Sequence, residues 1–423
     1  MISVDNIADK ILEINNRSKS IISLVPSENI LSPLARVPYL LDVQARYYLD
    51  DLRLFGERCF PSGIDVEEIE NDILIPTLST LSKAKYISIR PISGLNAMTI
   101  GISALTSPGD RVLSVPMNYG GHASTSYVIK CLGLKYTALE FCNVDTLDLE
   151  KLESCLKEFK PRLIYIDQST FLVPLDPLPI REIVDRVSPG TMIFFDTSHT
   201  NGLILGESLP NPLDRGADIF GGSTHKTMPG PQKGFLATNQ EKLFEKIQLE
   251  ADHLVSHHHS ASVLSLAITV DEFINCKGKE YCQQLVKNSK KLYENLQCEV
   301  FNVQHPVYNM NPCHQIWFQG RNISNSTIFT NLNKVGIKVN KVKTFPGNFG
   351  GGFRISVAEF TRLGAKNKDI EQLSSILKSA VISSSCFDVE DCSDKVKYLK
   401  RQVSKPKYCY DVPSDFYSRL ELL

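Results

Sequence analysis

Between residues 85 and 238 the chain repeats one pattern. A short apolar, β-branched stretch ends in small or polar residues and gives way to a segment of helical periodicity. The apolar stretches fall at 85–90, 111–116, 163–167, 192–196, 217–221 and 234–238, and the helical ones at 95–105, 146–158, 179–187 and 240–249. Strands this short, apolar on both faces and alternating with helices, specify a mostly parallel sheet covered on both sides. An α/β fold of this kind holds its ligands at the carboxyl ends of the strands. Fresh strand patterns at 315–318 and 352–357, after a change of composition near residue 290, predict a second, smaller α+β domain. The expected division is an amino-terminal arm at 1–48, a large domain at 49–285 and a small domain at 286–423.

Charge and composition exclude several partners. The 46 basic and 47 acidic residues nearly cancel, which gives no footprint for nucleic acid. No apolar run approaches the 18 residues of a membrane span, and the first 20 residues carry Asp5, Asp9 and Glu13 with no signal-peptide core. A cytoplasmic location is the expectation. Eleven cysteines without a CxxC pair read as reduced apolar fillers.

Chemistry concentrates at the expected strand exits. In Gly221-Gly222-Ser223-Thr224-His225-Lys226-Thr227-Met228-Pro229 small residues precede a lysine, and prolines fix the exit. Small residues let a phosphate and a planar ring approach the backbone, so Lys226 reads as the Schiff-base lysine of a pyridoxal 5'-phosphate enzyme; the alternative is a solvated turn lysine. Asp196 closes an apolar strand 30 residues earlier, with His199 three positions on. Its carboxylate either pairs with a pyridinium nitrogen or caps a turn. Ser93-Gly94-Leu95 lies between a strand and a helix, where the first helical amides can hold a phosphate or the serine can cap the helix alone. His122, after Gly120-Gly121, either lies over the cofactor ring or faces solvent.

In this order, together with Ser27-Glu28-Asn29, these segments resemble the serine hydroxymethyltransferase family of fold-type I pyridoxal-phosphate enzymes. The resemblance runs over about residues 20 to 380 and is most specific at Thr-His-Lys-Thr. It implies a seven-stranded large-domain sheet and a cofactor held by Lys226. Asp196 would meet the ring nitrogen, His122 would stack on the ring, and His199 would touch its phenolic side. Ser93, Gly94 and Leu95 would bind phosphate, with Ser169 and His225 also at the cofactor. Tyr47 would be catalytic, and Glu28, Arg362 and, in reserve, Arg354 would bind substrate. A homodimer or dimer of dimers is implied, with Tyr47 and the stretch around His257 crossing the subunit boundary.

Departures from the family pattern bear on the reaction. A proton-carrying glutamate is expected shortly after Tyr47, where the chain reads Tyr48-Leu49-Asp50; Asp50, Asp51 or Glu57 would have to replace it. A glycine-rich stretch becomes Ser256-His257-His258-His259-Ser260, read as a modified cofactor mouth or an interface, with no metal role assigned. The expected activity is aldol-type, forming a Cα carbanion on glycine or a small β-hydroxy amino acid. It would run without folate and take an aldehyde as possible co-substrate. The alternatives are an amino-acid racemase or aminotransferase, and a non-catalytic interaction protein on the same fold. In the tail, Cys386, Cys392 and Cys409 lack zinc-site spacing, and a strap over the small domain or a specialised substrate lid is expected.

Overall fold

The computed structural model describes residues 4–304, 313–381, 388–413 and 415–420. Seven strands form the large sheet: β1 (Tyr86–Ser88), β2 (Arg111–Ser114), β3 (Lys135–Ala138), β4 (Leu163–Asp167), β5 (Met192–Asp196), β6 (Ile219–Ser223) and β7 (Gly234–Thr238). Their order is β1-β7-β6-β5-β4-β2-β3. Only β7 runs against its neighbours. Every residue of β4, β6 and β7 is buried, as the uninterrupted apolar runs require when helices cover both faces.

Helix Gly94–Leu105 starts where the Ser93 side chain accepts a hydrogen bond from the Asn96 amide. Gly101 lets this helix lie on the sheet, since a Cβ there would stand 2.3 Å from a Phe194 ring carbon. Its outer side is covered by helix Glu241–Leu254. Two expectations are corrected in this region. The helix expected over 146–158 begins only at Leu149, because Thr146–Leu147 pairs with Phe141–Asn143 in a small hairpin and Asp148 caps the helix. The strand expected at 217–221 lies two residues later, in register with Phe194 to Asp196.

The carboxyl-terminal part carries an antiparallel sheet of β8 (Phe301–Val303), β9 (Ile316–Gly320), β10 (Asn340–Val342) and β11 (Gly352–Ile355), ordered β8-β9-β11-β10. Helix Gly278–Leu296 leads into it and packs along helix Asn367–Ser379. The amino-terminal segment is tied to this half of the chain. Ile22–Ser23 pairs in parallel with Ile337–Lys338, and Ser356 donates its amide to the Leu24 carbonyl. Before that segment runs a helix, Val4–Ser20. After helix Val389–Gln402 the tail returns to the body, where Arg362 donates to the Tyr408 carbonyl and Tyr408 packs on the Tyr281 ring. Cys386 lies outside the described residues. Among the described residues no group of three or more histidine, cysteine or acidic side chains could hold a metal, and no helix is long and apolar enough to cross a membrane.

Candidate active site

Five connections leave the large sheet on the same side, and their first residues converge. Ser93 follows β1, His122 follows β2, Ser169 follows β4, His199 follows β5 and Lys226 follows β6. They enclose two joined cavities. The inner one, about 290 Å³, is lined by Ser93, Gly94 and Leu95 at one end and by Asp196, His225 and Lys226 deeper in. The outer one, about 690 Å³, opens between the 117–123 loop and residues 340–346. Ser27, His122, Ser169, His199 and Lys226 border both.

Lys226 is largely enclosed, its remaining exposure facing the two cavities. Loss of solvation lowers its ammonium to about 8; Asp196 opposes that shift and Arg354 adds to it. A buried lysine near this value has a neutral, nucleophilic fraction at ordinary pH. Its backbone is held firmly. The Lys226 carbonyl accepts from Asn29 Nδ2 at 2.6 Å, the Thr227 carbonyl accepts from the Tyr281 hydroxyl at 3.0 Å, and Thr227 Oγ1 donates to the His199 carbonyl at 3.0 Å.

Asp196 presents a carboxylate whose Oδ2 accepts from the Tyr165 hydroxyl at 2.6 Å and whose Oδ1 accepts from the Ser198 amide at 2.8 Å. Such bonds orient the group at the cavity wall. Beneath His122 lies Asp167, which accepts from the His122 amide at 2.8 Å and from Thr125 Oγ1 at 2.5 Å. Burial raises the Asp167 carboxyl well above the usual range, while these hydrogen bonds pull the other way. Burial, and then the charge of Lys226, lower the His122 imidazole. Neither Tyr165 nor Asp167 was singled out from sequence for a role; an acidic residue at a strand's last position is the signal that marks Asp167.

The inner cavity fits pyridoxal 5'-phosphate. A planar ring has the amine of Lys226 and the carboxylate of Asp196 at hand. A phosphate has the first amides of a twelve-residue helix at Gly94 and Leu95, with Ser93 and Ser223 beside them. Also there is His225, neutral because burial lowers it to about 4, with Nδ1 buried and lacking a hydrogen-bond partner. A side chain at Gly94 would press on Ser223 at 3.0 Å, so glycine keeps this corner open.

Three of the sequence candidates stand elsewhere. Arg362 does not reach either cavity; it is buried against Glu272 at 3.5 Å and donates to the Tyr408 carbonyl. The arginine on the cavity wall is Arg354, held by Asn340 Oδ1 at 2.9 Å, Thr170 Oγ1 at 3.2 Å and the Ser169 carbonyl. Glu28 is exposed and accepts from Ser23 Oγ, whereas its neighbour Ser27 borders both cavities. Tyr47 is at the surface, donating to the Ser256 carbonyl at 3.1 Å and packing on Phe60 and His257.

The serine hydroxymethyltransferase family profile matches residues 2–377. An L-threonine:uridine-5'-aldehyde transaldolase from Amycolatopsis is 36% identical over 355 residues, covering 83% of this chain and 86% of that protein. A serine hydroxymethyltransferase from Sulfolobus acidocaldarius is 30% identical, covering 95% and 94%. The crystal structure of L-threonine transaldolase from Pseudomonas fluorescens superposes with a TM-score of 0.88 at 24% identity, over 99% of this chain and 96% of that one, a likeness of fold. With a fold-type I architecture, a strand-exit lysine in a cavity shaped for pyridoxal phosphate and a profile match over most of its length, the chain belongs to the serine hydroxymethyltransferase family and is a pyridoxal-phosphate-dependent enzyme of aldol type.

Proposed function

We propose that this enzyme is a folate-independent transaldolase. It would cleave Cα from Cβ in a small β-hydroxy amino acid such as threonine and join the resulting glycine unit to an acceptor aldehyde. The observation that carries this reading is the outer cavity, which has room for a second reactant beside the amino acid while no carboxylate lines it among the described residues. The acids near the missing glutamate support it. Asp50 is paired with Arg53, and Asp51 is occupied by the Cys59 and Phe60 amides and by Arg58. Leu49 offers no proton carrier. The transaldolase relative agrees with the same reading.

Bound pyridoxal phosphate supplies an electron sink for the charge left on Cα. The protein does the rest. Lys226 would anchor the cofactor and, as a neutral amine, take the β-hydroxyl proton as the Cα–Cβ bond breaks and return it to the new β-oxygen once the acceptor aldehyde has added. Asp196 would meet the ring nitrogen and keep it protonated, and His122 and His199 would flank the ring. Arg354 would take the substrate carboxylate; its three protein contacts fix the guanidinium plane and leave Nη2 for the bond. Met117, Val342, Phe345 and Pro346 would give the acceptor an apolar wall, with Lys343 at the rim. Tyr47 and the neighbouring histidines, away from this subunit's own cavity, would serve the second subunit of a homodimer.

The test gives purified holoenzyme L-threonine and an aryl aldehyde, with and without tetrahydrofolate. The expected products are acetaldehyde and a new β-hydroxy amino acid, at a rate that folate leaves unchanged. Conversion of serine to glycine that accelerates strongly on adding folate would overturn the reading.

A further inference from the structure

Behind His199, away from the cavity, stands a second imidazole that the chemistry above does not use. His314 precedes β9, and its Nε2 lies 3.3 Å from His199 Nδ1. The two ring planes are inclined by only 24° with centres 5.5 Å apart. That separation equals the N···N distance plus the two centre-to-nitrogen radii, so the nitrogens lie on the line between the rings. The contact is an in-plane hydrogen bond, edge to edge, and not a face-to-face stack. Phe171 closes the pair off, its ring edge-on to both, at 6.3 Å from His199 and 5.8 Å from His314. Beyond His314 Nδ1 sits the Cys313 sulfur at 3.5 Å.

We propose that Cys313, His314 and His199 form a directed hydrogen-bond chain that fixes the tautomer of His199, so that its Nε2 carries the proton and faces the cavity as a donor. His314 is a positioning residue in this chain; it touches neither cavity.

The direction follows from counting protons. Both imidazoles are buried and lie near the cations Lys226 and Arg354, so burial first and then these charges keep them neutral, His314 falling to about 3. Two neutral rings in contact share one proton between the facing nitrogens, and each ring carries its own single proton on one side only. The Cys313 thiol is fully buried and pushed up to about 12, so it keeps its hydrogen. The sulfur already accepts from the His314 backbone amide, so its hydrogen is the group left to point at His314 Nδ1, which makes that nitrogen the acceptor. The His314 proton is then on Nε2 and is donated to His199 Nδ1, and the His199 proton is left on Nε2. The Thr227 hydroxyl, donating to the His199 carbonyl at 3.0 Å, ties the backbone of this histidine to the lysine loop. At the wall shared by both cavities the result is a fixed neutral donor, suited to an oxygen atom of the cofactor or substrate. That consequence rests on the proposed cofactor site; the tautomer itself does not.

The test is ¹⁵N–¹H correlation of the imidazole rings in ¹⁵N-histidine-labelled holoenzyme, assigned by the signals lost in His199→Gln and, separately, in His314→Gln. The expected pattern for His199 is a pyrrole-type Nε2 and a pyridine-type Nδ1, unchanged between about pH 6 and 9. Cys313→Ser keeps a donor and should preserve that pattern, whereas Cys313→Ala should shift both rings toward an average of the two tautomers. His314→Glu, an acceptor, should move the His199 proton to Nδ1. A pyrrole-type Nδ1 on His199 in the unaltered enzyme overturns the proposal, as does a Cys313→Ala spectrum identical to the original. If the protein lacked the proposed activity, the ring signals of the purified chain would still report the tautomer, so the two failures are distinguishable.

Discussion

At the scale of single residues, what decides the site is how strongly burial acts on groups that solvent would otherwise control. Lys226 is the clearest case. A free lysine ammonium loses its proton far above neutrality, but loss of solvation brings this one to about 8, with Asp196 holding it up. The neutral amine is the form that condenses with an aldehyde. Condensation of the cofactor-free chain with pyridoxal phosphate should therefore accelerate as pH rises through about 8, and Asp196→Asn, which deletes the supporting charge, should move the half-point lower. Stopped-flow absorbance across pH checks both, and a half-point near that of free lysine would sink the argument. The candidate site residues legible in sequence share one property: each closes a strand of the large sheet or lies in the connection that leaves it, so local spacing marks them. Arg354 and His314 owe their places to other parts of the chain. Arg354 is aimed by the Ser169 carbonyl 185 residues earlier, and His314 meets a histidine 115 residues away. Arg362 matched a sequence pattern one position off, and in the short helix Ala358–Arg362 its side chain turns toward Glu272.

At the scale of elements, buried strands were easy to read and exposed ones were not. β4, β5 and β7 coincide with their apolar runs at both ends. β3 has no apolar run to mark it in the sequence, because it is an edge strand, exposed at both ends and only partly buried between. In the amino-terminal helix Val4–Ser20 the many polar residues likewise mask the periodic isoleucines. Element packing also sets where Lys226 sits. Helix Asn201–Leu205 leans on the lysine loop through Gly202, whose amide donates to Thr227 Oγ1 at 3.1 Å. A Cβ on Gly202 would stand 2.4 Å from the Thr227 carbonyl carbon and oxygen, backbone atoms that cannot swing aside. Gly202→Ala should therefore separate helix and loop, lowering stability by about 1–3 kcal/mol and weakening cofactor retention. Thermal unfolding with spectrophotometric cofactor titration would show it, and an unchanged midpoint together with unchanged affinity would refute the close-packing account.

At the scale of the whole molecule, the single chain leaves apolar surface that water does not favour. On helix Val4–Ser20, Ile7, Ile11 and Ile14 follow i, i+4, i+7 spacing and are 51%, 61% and 56% exposed. One stripe of a helix with that spacing ordinarily packs on something, and among the described residues nothing covers it. Leu54, Phe55 and Phe60 are exposed as well, around the surface where Tyr47 packs on His257. A homodimer would bury such surface and bring Tyr47 and the histidines toward the partner's cavity. It would also explain why a residue expected at the reaction centre stands apart from the cavity of its own subunit. Sedimentation of the holoenzyme should give a particle of two or four chains. Replacing Ile7, Ile11 and Ile14 together by serine removes only exposed apolar groups and should leave the fold of the single chain intact while shifting the population toward monomer. If Tyr47 acts across the interface, that monomer should retain the Lys226-linked cofactor absorbance yet lose most of its aldol activity. A fully active monomeric holoenzyme would show instead that each cavity is complete in one chain.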